Sequence, residues 1–103
     1  PSYYMVDMAG GKLLYGVGTD AEGNPADNCY VLGATDDITG VVHLEDNATE
    51  IAGYVFRNCA DPFTVEGLDH LIAIGDYAFE SSGIQGDITM NGGMVYHSVT
   101  APV

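Results

Sequence analysis

The sequence contains almost no positive charge. Lys12 and Arg57 are its two cationic side chains among 103 residues, against 15 aspartates and glutamates, and the formal net charge at pH 7 is −13. Binding to nucleic acid or to an anionic membrane surface requires clustered lysine and arginine. The composition therefore argues against both partners, and it predicts an acidic, solvated surface.

The sequence also has no tryptophan, no long apolar run and only two cysteines. A membrane helix needs roughly 18 consecutive apolar residues, and because no stretch reaches that length, no membrane insertion is expected. Two thiols are too few for a disulfide scaffold, so we expect Cys29 and Cys59 to be unlinked, with Cys59 buried. Because there is no tryptophan and most tyrosines lie in predicted strands or repeats, no carbohydrate platform of exposed aromatic rings is evident.

A short repeat organises the chain. Residues 51–56 read Ile-Ala-Gly-Tyr-Val-Phe and residues 74–79 read Ile-Gly-Asp-Tyr-Ala-Phe, so Ile, Tyr and Phe recur at matching positions. We call the separation between positions 51 and 74 the repeat interval. Self-similarity with a period in the twenties is typical of a solenoid. A unit this short cannot bury its apolar face alone, so the matched side chains are expected to stack as ladders through neighbouring units.

These motifs, with Asn58-Cys59 after the first copy, resemble the BspA-like leucine-rich repeat of bacterial cell-surface proteins. The resemblance covers residues 41–90, about half of the chain. It implies a mainly β fold with short helical segments, in which each unit is a short strand followed by a helical or irregular segment that carries the aromatic pair. It also implies a bacterial cell-surface or extracellular location and a role in adhesion.

The remaining sequence predicts how this array begins and ends. Apolar runs separated by glycine-rich turns predict strands at Tyr3–Met8, Lys12–Val17, Tyr30–Gly33 and Met94–Val99. We therefore interpret the chain as one domain. Residues 1–40 form an N-terminal capping hairpin and loop, residues 41–90 form two to three units of a leucine-rich-repeat-type solenoid, and residues 91–103 contain a closing strand. Since it opens without Met, we expect the chain to be part of a longer or processed protein.

The loop between Thr19 and Asn28 offers the main alternative to a plain repeat module. Asp20, Glu22 and Asn24 alternate as in a calcium loop, but Pro25 and Val31 occupy the positions where an EF-hand needs Gly and Glu. A looser calcium site, or a small enzyme that uses the acidic residues 20–27, stays open. A loose dinucleotide-binding pattern at residues 16–21 is rejected, because Gly23 and Pro25 prevent the helix it requires.

The histidines do not predict a metal site. His43, His70 and His97 are evenly spaced, but their spacing is longer than the repeat interval, so they should not converge. His43, Thr64 and Thr89 are instead the middle residues of three matched strand-like runs. We expect these three to line one exposed sheet face, which is the candidate binding face.

From these observations we expect a non-catalytic module, not an enzyme, with no cofactor and no catalytic or metal-ligating residue. The expected partner is a protein or host-surface ligand. Because a fold-level resemblance is weak evidence for function, the metal-dependent alternative is kept beside this interpretation.

Overall fold

The chain folds mainly into β-strands, and the computed structural model describes residues 2–96. No α-helix occurs in that range. The strands are β1 (Ser2–Met8), β2 (Gly11–Val17), β3 (Cys29–Ala34), β4 (Gly40–His43), β5 (Ala48–Ile51), β6 (Pro62–Glu66), β7 (Ala73–Ile74), β8 (Gly83–Ile84), β9 (Ile88–Thr89) and β10 (Val95–Tyr96), with a 3-10 turn at Asn91–Gly93 between the last two.

The predicted N-terminal hairpin is confirmed. Strands β1 and β2 pair antiparallel along their whole length, and Met8 lies opposite Gly11 across a tight turn. Strand β3 joins the other side of β2, also antiparallel. The predicted closing strand is confirmed for Val95 and Tyr96, which pair antiparallel with β9, while its residues from 97 onwards lie outside the described range.

Two parallel arrays follow the hairpin. Strands β3, β5 and β7 are neighbours in a five-stranded sheet of order β1-β2-β3-β5-β7, and β4, β6 and β8 form a separate three-stranded sheet. Ile51 pairs with Ile74, and Val41 pairs with Thr64. Both pairs are separated by the repeat interval, which the sequence predicts for Ile51 and Ile74.

The register of β4 and β6 corrects one prediction. Val41 lies opposite Thr64, and His43 lies opposite Glu66, so His43 and Thr64 do not face each other. The prediction matches the strands by their middle residues, whereas the hydrogen bonds follow the repeat interval. Thr89 belongs to neither array, because β9 pairs antiparallel with β10.

The short helical segments expected after each strand are absent from residues 2–96, and turns take their place. Tyr54 and Tyr77 have φ of 66° and 57°, and Asn58 and Ser81 have φ of 66° and 54°. These left-handed conformations interrupt a right-handed helix. The corresponding residues of the two turns share one backbone shape, so the turns can lie one on the other.

Backbone hydrogen bonds join the first turn to the second. The N–H groups of Tyr54, Phe56 and Asn58 donate to the carbonyls of Asp76, Ala78 and Glu80, at 3.0, 2.7 and 3.0 Å. The close approach depends on glycine, since a Cβ at position 75 would lie 2.3 Å from the backbone nitrogen of Gly53. The two turns therefore pair almost as strands do, without having strand conformation.

The core runs between the two arrays and is apolar throughout the described range. Phe56 stacks on Phe79 with ring centroids 5.2 Å apart and planes inclined by 6°, and Phe63 lies 5.3 Å from Phe56. Both repeat phenylalanines are almost wholly buried, as predicted. Cys29 and Cys59 are unlinked and Cys59 is buried, as predicted, and Cys29 is buried as well.

Candidate functional site

The most distinctive surface feature is an exposed pair of tyrosines, Tyr54 and Tyr77, beside the charged residues Arg57 and Glu80. We call these four residues the tyrosine ridge. Tyr54 and Tyr77 stack with ring centroids 5.5 Å apart and planes inclined by 21°. Their exposed fractions are 55% and 44%. Arg57 lies with its guanidinium carbon 5.6 Å from the centre of the Tyr54 ring, and its Nε is 2.6 Å from Oε1 of Glu80.

The repeat itself places these four side chains together. Tyr54 and Tyr77 are equivalent positions of the two turns, and so are Arg57 and Glu80, since each pair is separated by the repeat interval. The inter-turn hydrogen bonds hold the backbones in register. Around the ridge lies a shallow depression of about 290 Å³.

The chemistry of the ridge suits contact with another macromolecule. Tyrosine and arginine are enriched among the residues that dominate protein–protein binding energy, because they offer large rigid surfaces with polar tips. The ion pair with Glu80 orients Arg57 against Tyr54. The ridge is therefore partly preorganised before any ligand arrives, which lowers the entropy lost on binding.

The sequence does not predict this surface. It predicts ladders of the Tyr and Phe positions but not that the tyrosines point outward, and it shows no exposed aromatic platform. The available signal was the repeat interval, which separates the two tyrosines and also separates Arg57 from Glu80. That shared spacing places an aromatic pair and an opposite-charge pair side by side.

Two of the three residues of the candidate binding face, His43 and Thr64, lie on the same exposed side of one sheet, whereas Thr89 lies elsewhere. His43 and Thr64 are exposed on the β4-β6-β8 sheet, and His43 Nδ1 lies 3.0 Å from Oε1 of Glu66. Thr64 lines a different feature, a shallow depression of about 250 Å³ shared with Val41 and neighbouring residues. Thr89 lies in the β9-β10 pair and does not extend this face.

The acidic loop is closed by its own hydrogen bonds. Asp20 Oδ1 accepts from the backbone N–H groups of Glu22 and Asn24 at 3.0 and 2.9 Å, and Thr19 forms a bridge with Pro25. This arrangement explains the alternating polar residues, since aspartate commonly caps a turn in this way. Within residues 2–96, no group of three or more His, Cys, Asp and Glu side chains has a geometry that could hold a metal ion.

The histidines lie in different surroundings. His43 pairs with Glu66 on the sheet surface, whereas His70 borders a depression of about 350 Å³ that also includes Asp27 and Asp46. His97 lies outside the described residues.

The two thiols are placed as packing residues. Burial raises the pKa of both the Cys29 and the Cys59 thiol above its ordinary value. Cys29 Sγ also lies 3.4 Å from Oδ1 of Asn47, to which it can donate. Because the thiolate is the reactive form, both side chains should react slowly in the folded protein.

Comparisons with known proteins identify no relative of this chain. No family model, no curated protein and no solved structure matches the chain. Across the part of the chain that the structure describes, no helix is long and apolar enough to cross a membrane.

Proposed function

We propose that this chain is a non-catalytic repeat module of a bacterial surface or secreted protein, and that it mediates protein binding or adhesion through the tyrosine ridge. The single observation that carries the proposal is the exposed stack of Tyr54 and Tyr77, with Arg57 held beside it by Glu80. An exposed, ordered group of aromatic and arginine side chains is typical of a protein-binding site.

The proposed architecture is a short leucine-rich-repeat-type solenoid of the BspA-like kind, capped at its N-terminal end by the β1-β2 hairpin. The parallel pairing of Ile51 with Ile74 and the stacking of Phe56 on Phe79 support this proposal. In such an array, equivalent surface positions of successive units line up. The ridge is one such line of surface positions.

The acidic surface restricts the partner. A protein of net charge −13 repels other acidic surfaces at low ionic strength and favours basic or neutral ones. We therefore propose a protein or host-surface ligand with a basic or neutral contact surface. Association with a basic ligand should then slow as salt is added.

Adhesion of protein-coated beads to epithelial cells tests this function. Beads coated with the wild-type chain should bind more cells than albumin-coated beads, and protease treatment of the cells should remove the difference. The double variant Tyr54→Asn and Tyr77→Asn should lose the binding. Asparagine is chosen because it tolerates the positive φ of both positions.

Two matched control variants distinguish loss of the ridge from loss of any other exposed apolar side chain. Ile72→Asn changes an exposed apolar residue that does not line the depression at the ridge, and Val41→Asn changes one on the β4-β6-β8 sheet. Both should bind as the wild type does. The proposal fails if wild-type beads bind no better than albumin beads, or if the double tyrosine variant binds as well as the wild type.

A further inference from the structure

The outer edge of the five-stranded sheet is formed by β1, which pairs with β2 on one side. The carbonyl of Lys12 accepts from the N–H of Thr35, so the backbone of Lys12 points towards β3. Backbone groups alternate in direction along an antiparallel strand. Asp7, which lies opposite Lys12, therefore points its own N–H and C=O away from β2, as do Met5 and Tyr3.

The side chains of this edge form an apolar strip. Tyr3 and Met5 are 63% and 53% exposed, and they share one face of the hairpin because side chains alternate along a strand. Met5 lies opposite Leu14 on β2. On β2, Gly16 lies opposite Tyr3. The Leu32 side chain covers Gly16 on this face, since a Cβ on Gly16 would lie 2.5 Å from it. Leu32 is also exposed, so it continues the strip on β3.

Edge strands of monomeric proteins are usually protected by charge, by proline, by a bulge or by being short. Strand β1 has seven residues, contains no proline and pairs with β2 without interruption of the register. Its one charged residue is Asp7, which forms an ion pair with Lys12. An unprotected edge of this length is a ready template for another strand.

We propose that β1 pairs antiparallel with β1 of a second copy of the chain, so that the two five-stranded sheets become one. With the two-fold axis at Met5, Met5 faces Met5 of the second copy, and Tyr3 faces Asp7. All three residues carry outward-pointing backbone groups, so each facing pair exchanges two hydrogen bonds. The same register places Met5 and Leu14 of both copies in one apolar row.

The local charge of strand β1 allows a second copy to pair at this edge. In the proposed register the two Asp7 side chains are displaced along the strands by roughly 14 Å, at about 3.4 Å per residue. That distance exceeds the Debye length of about 8 Å at physiological ionic strength, and each Asp7 also has its own Lys12. Two copies of charge −13 can therefore meet here with little local repulsion.

Sedimentation equilibrium over a range of protein concentrations tests the proposal. The mass should rise from the monomer value of 10.8 kDa towards twice that value as concentration increases. Added sodium chloride should strengthen the association, because it screens the net charge. A strand-addition partner of opposite charge would show the reverse dependence on salt.

Two variants should abolish the dimer. Met5→Pro removes an outward-pointing N–H, which an edge strand tolerates when that group faces solvent, and Met5→Lys places two like charges at the two-fold axis. Circular dichroism checks that each variant is folded. If Met5→Pro unfolds, Met5→Lys still tests the dimer. Val41→Lys, on strand β4 at the edge of the other sheet, should dimerise as the wild type does.

The proposal is overturned if the wild-type chain stays monomeric at all concentrations. It is equally overturned if folded Met5→Lys dimerises as well as the wild type, or if Val41→Lys alone loses the dimer, which would place the contact on β4. The tyrosine ridge is not part of this edge, so adhesion through the ridge can succeed or fail independently.

Discussion

Replacement of Phe56 by alanine should remove much of the stability of the fold. The Phe56 ring is fully buried, stacks on Phe79 at 5.2 Å and lies 5.3 Å from Phe63. It therefore connects the second turn, which carries Phe79, to strand β6, which carries Phe63. The ring thus joins two successive units of the repeat to the three-stranded sheet.

The expected cost follows from the contacts. Truncation of a buried phenylalanine to alanine costs about 3–5 kcal/mol, and each aromatic pair is worth about 0.5–1.5 kcal/mol beyond the area it buries. Because Phe56 takes part in two such pairs, we place Phe56→Ala at about 4–5 kcal/mol. Small domains are stable by about 5–15 kcal/mol, so the variant should lose between about a quarter and all of the stability of the fold.

Urea unfolding followed by far-ultraviolet circular dichroism measures the effect. The midpoint should fall strongly with little change in slope for any variant that still folds. Val41→Ala, at an exposed position, is the control and should change the free energy of unfolding by less than about 0.5 kcal/mol. A loss of only a few tenths of a kcal/mol for Phe56→Ala would refute the stacked-ring account of the core.

Three further predictions concern the backbone, alkaline pH and calcium. Gly75→Ala should cost about 1–3 kcal/mol in urea unfolding, because its Cβ would meet backbone atoms of the preceding turn, whereas Gly18→Ala, with open space around it, should be nearly neutral. Burial raises the pKa of Tyr15 from 10.0 to about 12. Because Tyr15 ionises at lower pH in the unfolded state, its contribution to stability should be constant below about pH 10 and should fall between about pH 10 and 12. Tyr15→Phe should make that fall in stability less steep. Millimolar calcium and an ionic-strength-matched sodium control should agree within about 0.5 kcal/mol, and a calcium excess that Asp20→Ala removes would favour the metal-dependent alternative.

The features that depend on local pattern could be predicted from the sequence. The hairpin follows from two apolar runs around Ala9-Gly10-Gly11, and the pairing of Ile51 with Ile74 follows from the repeat interval. Burial of both phenylalanines follows because a unit of this length must stack on its neighbour. Each of these conclusions needs residue type and spacing alone.

The features that depend on register and direction could not be predicted in the same way. Matching His43 with Thr64 is wrong because residue types do not define where a strand begins and ends, and a small error in those bounds shifts the whole ladder. Tyr54 and Tyr77 are exposed and have a positive φ, a conformation that a tyrosine rarely adopts and that its residue type does not indicate. The same positive φ values exclude the helical segments that the resemblance implies.

Hydrogen-bond scalar couplings measured by NMR test the central claim, that the first turn lies directly on the second. A long-range HNCO experiment on labelled protein should correlate the amide nitrogens of Tyr54, Phe56 and Asn58 with the carbonyl carbons of Asp76, Ala78 and Glu80. The β1-β2 hairpin supplies an internal reference in the same spectrum. All three correlations should appear at a strength similar to those of the hairpin. Their absence, while the hairpin correlations are visible, would contradict the stacking on which the core and the tyrosine ridge depend.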